Sequence, residues 1–67
     1  MTAPALVKEA VETKIATAKE LAHCFADLME ATLSWITIER YDKALSYALD
    51  ASKVLAQLLR TLYELRH

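Results

Sequence analysis

The chain contains no glycine and a single proline, Pro4. Glycine-rich phosphate loops, dinucleotide fingerprints and nucleophile elbows are therefore excluded, because each needs glycine where backbone must turn sharply or approach a ligand. The usual turn residues are missing too, so any reversal of the chain has to be built without them. There is one cysteine, Cys24. It permits no intrachain disulfide and points to a reducing compartment. Neither sign of charge dominates: eight Lys and Arg against nine Asp and Glu leave a formal net charge of −1. That balance carries no general affinity for nucleic acid and no polyanionic tail. Long apolar runs are also absent. The longest uncharged stretch, Ala31 to Ile38, falls far short of the ~20 residues that span a bilayer. The N-terminal residues lack a basic flank followed by an apolar core, so no signal peptide is expected and the cytoplasm is the default location. Sixty-seven residues allow one domain, with no disulfide framework or metal cluster to compensate for a small core.

What is present is helical periodicity. With Tyr41 at heptad position a, the a and d sites of 41–65 are Tyr41, Ala44, Ala48, Ala51, Leu55, Leu58, Leu62 and Leu65. A period near 3.5 residues sustained over several turns cannot be imitated by a strand. The rest of this wheel is unusually apolar. Ile38, Leu45 and Leu59 fall at e, Tyr47 and Val54 at g, and Leu49, Ala56 and Tyr63 at b. A helix packed on one neighbour needs one apolar stripe, whereas this one carries material for two or three.

The N-terminal half follows the same logic with Val11 at a. Positions a, d and e collect Val7, Val11, Ile15, Ala18, Leu21, Ala22, Phe25, Leu28, Met29, Trp35 and Ile36, with Lys14 and Thr32 as intruders. Lys14 can lay its stem along the seam and keep its ammonium in water. Thr2 suits an N-cap and Pro4 a first helical turn. The boundary is expected within Trp35–Arg40, where β-branched Ile36, Thr37 and Ile38 are mediocre helix formers and Thr37 is the expected cap of the second helix. Because the stretch holds no Gly, Asn or Pro, one continuous helix of about 60 residues is the alternative. The expected fold is all-α: one domain over 1–67, with helix one about 4–36 and helix two about 39–66. These form an antiparallel two-helix hairpin that assembles into a homodimeric four-helix bundle or a higher oligomer. Large Phe25, Leu28, Met29 and Trp35 then meet the alanine-rich start of helix two, and small Ala18 and Ala22 meet its leucines.

Candidate sites are few. Glu20 and His23 have the Glu-x-x-His spacing of di-iron carboxylate bundles, with Asp27 and Glu30 on the same face. They lie at solvent positions, however, and helix two supplies no acid at a core position, so no metal and no cofactor are expected. Cys24 is expected to be a buried or half-buried thiol. No serine or cysteine pairs with a histidine and an orienting acid on facing core positions, which argues against catalysis. Residues 41–47, Tyr-Asp-Lys-Ala-Leu-Ser-Tyr, with Ala51 following, resemble the first helix of a tetratricopeptide repeat; such arrays need at least three units, and one is present. Arg60 and His67 form an R-x6-H pattern similar to the short motif of the HEPN family of helical nucleases, a likeness confined to two residues.

The expected function is a non-enzymatic protein–protein interaction module that self-associates through an apolar seam and docks an amphipathic partner helix. The residues expected to carry self-association are Phe25, Leu28, Ala48, Leu55, Leu58 and Leu62. Those expected to meet the partner are Leu49, Val54, Ala56 and Tyr63. The alternative is a small dimeric RNA-binding regulator, resembling in build the plasmid copy-number regulators and using the Lys53 and Arg60 face. Its basic residues are interleaved with Asp50, Gln57 and Glu64, a thin electrostatic footprint.

Overall fold

The computed structural model describes residues 3–66, with side-chain surroundings from Lys8 onward. The N-cap expected at Thr2 and the motif residue His67 lie outside the described residues. Two helices are present: α1, Ala3–Thr37, and α2, Tyr41–Arg66. They pack against each other in an antiparallel hairpin. Helices of 35 and 26 residues span about 52 and 39 Å at 1.5 Å per residue. The result is a rod of 58 × 14 × 13 Å. Its radius of gyration is 16.1 Å, against about 11 Å for a compact domain of this length.

The reversal is made without glycine. The Glu39 N–H donates to the Ile36 carbonyl at 3.0 Å and the Arg40 N–H to the Trp35 carbonyl at 2.9 Å. This pair of bonds is the Schellman termination, which satisfies carbonyls that the helix end would otherwise leave without partners. The motif needs one residue in the left-handed region, and Glu39 takes it with φ 62°. A side chain there costs about 1–2 kcal/mol relative to a right-handed conformation. Part of that cost is offset at the other end of the motif. Its customary apolar contact is replaced by the Arg40 guanidinium over the Trp35 ring, 6.0 Å from the centroid, a cation–π contact. Arg40 Nε also lies 3.5 Å from Asp42 Oδ1.

Thr37 does not cap α2. It ends α1, and its hydroxyl donates back to the Leu33 carbonyl at 2.9 Å. The cap position falls instead to Arg40, whose carbonyl accepts the first α2 bond from the Ala44 N–H at 3.0 Å. Asp42, in the first turn of α2, supplies the negative charge that a helix N-terminus favours. Its carboxyl is held below the usual aspartate range, first by the Lys43 backbone N–H and then by Arg40.

The helices meet along lines of 3,4 spacing. On α1 the buried or half-buried residues are Ala18, Leu21, Phe25, Leu28, Ala31, Thr32 and Trp35. On α2 they are Ala44, Tyr47, Ala48, Ala51, Val54, Leu58, Thr61 and Leu65. The most deeply buried positions are all small: Ala18, Thr32, Ala44 and Ala51, with Ala51 at 1% exposure. Small side chains let two helix axes approach, and their large neighbours then close over the contact from either side. The Thr32 hydroxyl is satisfied by the Leu28 carbonyl at 2.8 Å, so it carries no unpaired polar group into the seam. Trp35 stacks on Tyr47, with ring centroids 6.4 Å apart and planes at 22°. At the other end Lys14 Nζ reaches Glu64 Oε2 at 3.3 Å. These two contacts mark the antiparallel register at its two ends.

Glu39→Gly tests the turn. Releasing the left-handed strain, less the extra freedom glycine brings to the unfolded chain, should stabilise the protein by about 0.5–1 kcal/mol in chemical denaturation. A loss of stability would contradict the Schellman assignment.

Candidate functional site

The feature that stands out is a side of the hairpin left uncovered. On α1 the residues one or four positions after the packed ones are Ala22, Met29 and Ile36, and Ile15 continues their line by one heptad; all are exposed. On α2 the corresponding residues are Ala48, Leu55 and Leu62, with Tyr41 beginning the series; all but half-buried Ala48 are exposed. An offset of one or four residues is a rotation of 40–100° in the same sense along each chain. Because α1 and α2 run in opposite directions, equal rotations bring both stripes to the same side of the hairpin. The two stripes thus form one apolar face, bordered by Leu33 on α1 and by Leu45 and Leu59 on α2.

The opposite side is polar. Residues preceding the packed ones include Thr17, Glu20, Cys24, Asp27 and Ser34 on α1, and Lys43, Asp50, Gln57 and Glu64 on α2. Glu64 of this side pairs with Lys14. The hairpin is therefore amphipathic as a unit, beyond the amphipathicity of each helix.

This geometry corrects the heptad expected for α2. Ala44, Ala51, Leu58 and Leu65 face α1 as expected, but their partners in the seam are Tyr47, Val54 and Thr61. The expected a-position residues Tyr41, Leu55 and Leu62 turn to the open face. The physical reason is that apolar lines flank the alanines on both sides. Stacking of Tyr47 on Trp35 brings one of them inward, and the line carrying Leu55 and Leu62 is left outside.

The residues expected at the oligomer interface consequently divide. Phe25, Leu28 and Leu58 are half-buried within the hairpin. Leu55 and Leu62 lie on the open face, with Ala48 at its edge. Of the expected docking residues, Val54 is half-buried in the seam, whereas Leu49, Ala56 and Tyr63 are exposed on the side of α2 away from α1. A shallow groove lined by Leu59, Leu62, Tyr63 and Arg66 marks the end of the open face remote from the turn, hereafter the open end.

Glu20, His23, Asp27 and Glu30 are all exposed. Among the described residues, no three His, Cys, Asp or Glu side chains lie close enough to hold a metal ion. Cys24 is exposed, contrary to the buried or half-buried thiol expected, because the α1 face it occupies looks to solvent on the polar side. Lys53 and Arg60 are exposed on the outer face of α2. Among the described residues, no helix is long and apolar enough to cross a membrane.

The seam makes a differential prediction about size. Ala51→Leu should destabilise the hairpin by about 1–3 kcal/mol through overpacking, while Ala56→Leu on the outer face should change stability by under about 0.5 kcal/mol. Denaturant titration of both variants checks this, and equal effects would contradict the assignment of faces.

Comparison with known proteins found no similarity to this chain: no family model, no curated protein and no solved structure matches it.

Proposed function

We propose that this chain is a non-enzymatic, cytoplasmic interaction module whose hairpin self-associates into a homodimeric four-helix bundle. The observation that supports it is the lack of any adequate core within one hairpin. Among the described residues no large side chain is fully buried, and the buried apolar ones are three alanines. The accessible surface is 5413 Å², where a compact monomer of this mass exposes about 4,250 Å². A contiguous apolar face of this length marks an interaction surface. Symmetric dimers are the commonest way of covering such a face, and two amphipathic hairpins placed face to face give four helices around one core.

In that bundle the outward strip of Leu49, Ala56 and Tyr63 remains in solvent. It has the spacing at which a helix presents anchors to an amphipathic partner helix, and it is where a protein partner would dock. Leu49 and Ala56 lie on a side of α2 away from the dimer face, so docking and dimerisation can be separated by mutation there, whereas Tyr63 also borders the groove at the open end.

Sedimentation equilibrium at micromolar concentration tests the reading. The expected mass is twice the 7.5 kDa of one chain. Leu55→Asp should shift the equilibrium toward monomer by at least tenfold, since an unpaired carboxylate would have to be desolvated in the core. Leu49→Asp should leave the dimer intact. A folded 7.5 kDa monomer for the unmodified protein would overturn the proposal.

A further inference from the structure

The open face is not uniform along its length, and its two ends differ in chemistry. Large apolar residues crowd the turn, with Leu33 at 63%, Tyr41 at 62%, and Ile38 and Leu45 at 61%, while at the other end Tyr63 stands exposed to the same degree. Ile36 lies among those at the turn. The open end mixes charged with apolar side chains. There α1 carries exposed Lys8, Glu9 and Glu12, and α2 carries exposed Arg66. Any dimer must decide which end meets which.

We propose that the second copy packs on this face with both turns at the same end, about a twofold axis parallel to the helices. The inference rests on the dimer reading above and adds its alignment. Such an axis keeps every residue at its own height and sets α1 of one copy against α2 of the other. The Lys14–Glu64 and Trp35–Tyr47 contacts mark which heights correspond within a hairpin, and therefore between copies. Leu33 then meets Leu45 of the second copy, and the crowded turn ends cover each other. Ala22 meets the second copy between its Leu55 and Leu59, and Met29 meets it between Ala48 and Ser52, so small faces large. At the open end Ile15 lies at the height of the groove lined by Leu59, Leu62, Tyr63 and Arg66. Glu12 lies at the height of Arg66, giving opposite charges at the rim.

The opposite-end alignment satisfies size but not polarity. A twofold axis perpendicular to the helices sets α1 against α1 and α2 against α2. Small residues again meet large ones, Ala22 facing Met29 and Ala48 facing Leu55. The apolar turn end, however, is laid over the partner's open end. Leu33 then meets the Glu12–Lys19 segment of the second copy, and Ile38 of one copy lies at the height of Arg66 of the other. Charges that water would solvate are placed against the apolar side chains Leu33 and Ile38. The same-end alignment joins apolar to apolar and acid to base.

Distance measurement between spin labels decides the matter. Thr37 is exposed at the turn, and a Thr37→Cys, Cys24→Ser protein carries one label per chain. Adjacent bundle helices lie about 8–10 Å apart, so the same-end dimer should give a label separation of roughly 10–25 Å. The opposite-end dimer separates the turns by the length of the face, about 40 Å. A dominant distance near 40 Å would overturn the alignment while leaving self-association standing. A monomer by sedimentation would overturn both. As a second readout, Glu12→Arg should weaken the dimer about two- to fivefold by opposing like charges at the rim, and adding Arg66→Glu should restore it. No recovery in the double variant would contradict the Glu12–Arg66 pairing.

Discussion

The structure depends on how closely two helices approach along a line of small side chains. Ala18, Thr32, Ala44 and Ala51 are the most buried residues described, and each contributes little apolar area of its own. Their role is geometric: they bring the backbones together so that Leu21, Phe25, Leu28, Val54 and Leu58 can close over the contact. A pair of helices has only one such line, and every other apolar residue remains on a surface. The consequence is a rod whose folded form still exposes Leu33, Leu45, Leu55, Leu59 and Leu62. Each large side chain left in water forgoes about 1.5–3 kcal/mol of burial, and in the proposed dimer the second copy would recover part of it.

The turn shows how a chain without glycine manages a reversal. A left-handed residue is required at the C′ position, and Glu39 supplies it at φ 62° in spite of its Cβ. What holds it is the surrounding set of contacts. Two backbone bonds terminate α1, Arg40 covers Trp35, and Trp35 stacks on Tyr47 of the returning helix. The same aromatic pair selects which line of α2 faces inward. Local chain reversal, seam register and exposure of the leucine line are thus linked through Trp35.

Much of this was legible in the residues. Sustained 3,4 spacing identified two helices, and the β-branched run 36–38 located the boundary. The polar c positions of α2 marked its solvent side, and the excess of apolar residues on α2 pointed to an uncovered face. Three features were not legible, each for a physical reason. Hydropathy alone places the leucines Leu55 and Leu62 at the seam; it carries no information about ring stacking, which drew Tyr47, and with it Val54, inward instead. Thr37 has the chemistry of a cap, but a Schellman end competes for the same residues, and a left-handed glutamate has no sequence signature. Cys24 reads as a buried small hydrophobe by residue type, yet which flank of α1 it occupies depends on the seam register. The open face itself becomes visible only when both helices are set antiparallel, because the two stripes belong to different halves of the chain.

The central claim is that one hairpin lacks a core sufficient to fold alone and acquires it from a second copy. Folding would then be coupled to association, and stability would follow mass action. The most direct measurement is the midpoint of thermal unfolding by circular dichroism, followed from about 1 to 100 μM protein. A midpoint that rises steadily with concentration, by several degrees over that range, is the expected result. A fully helical protein whose midpoint does not move with concentration would contradict it.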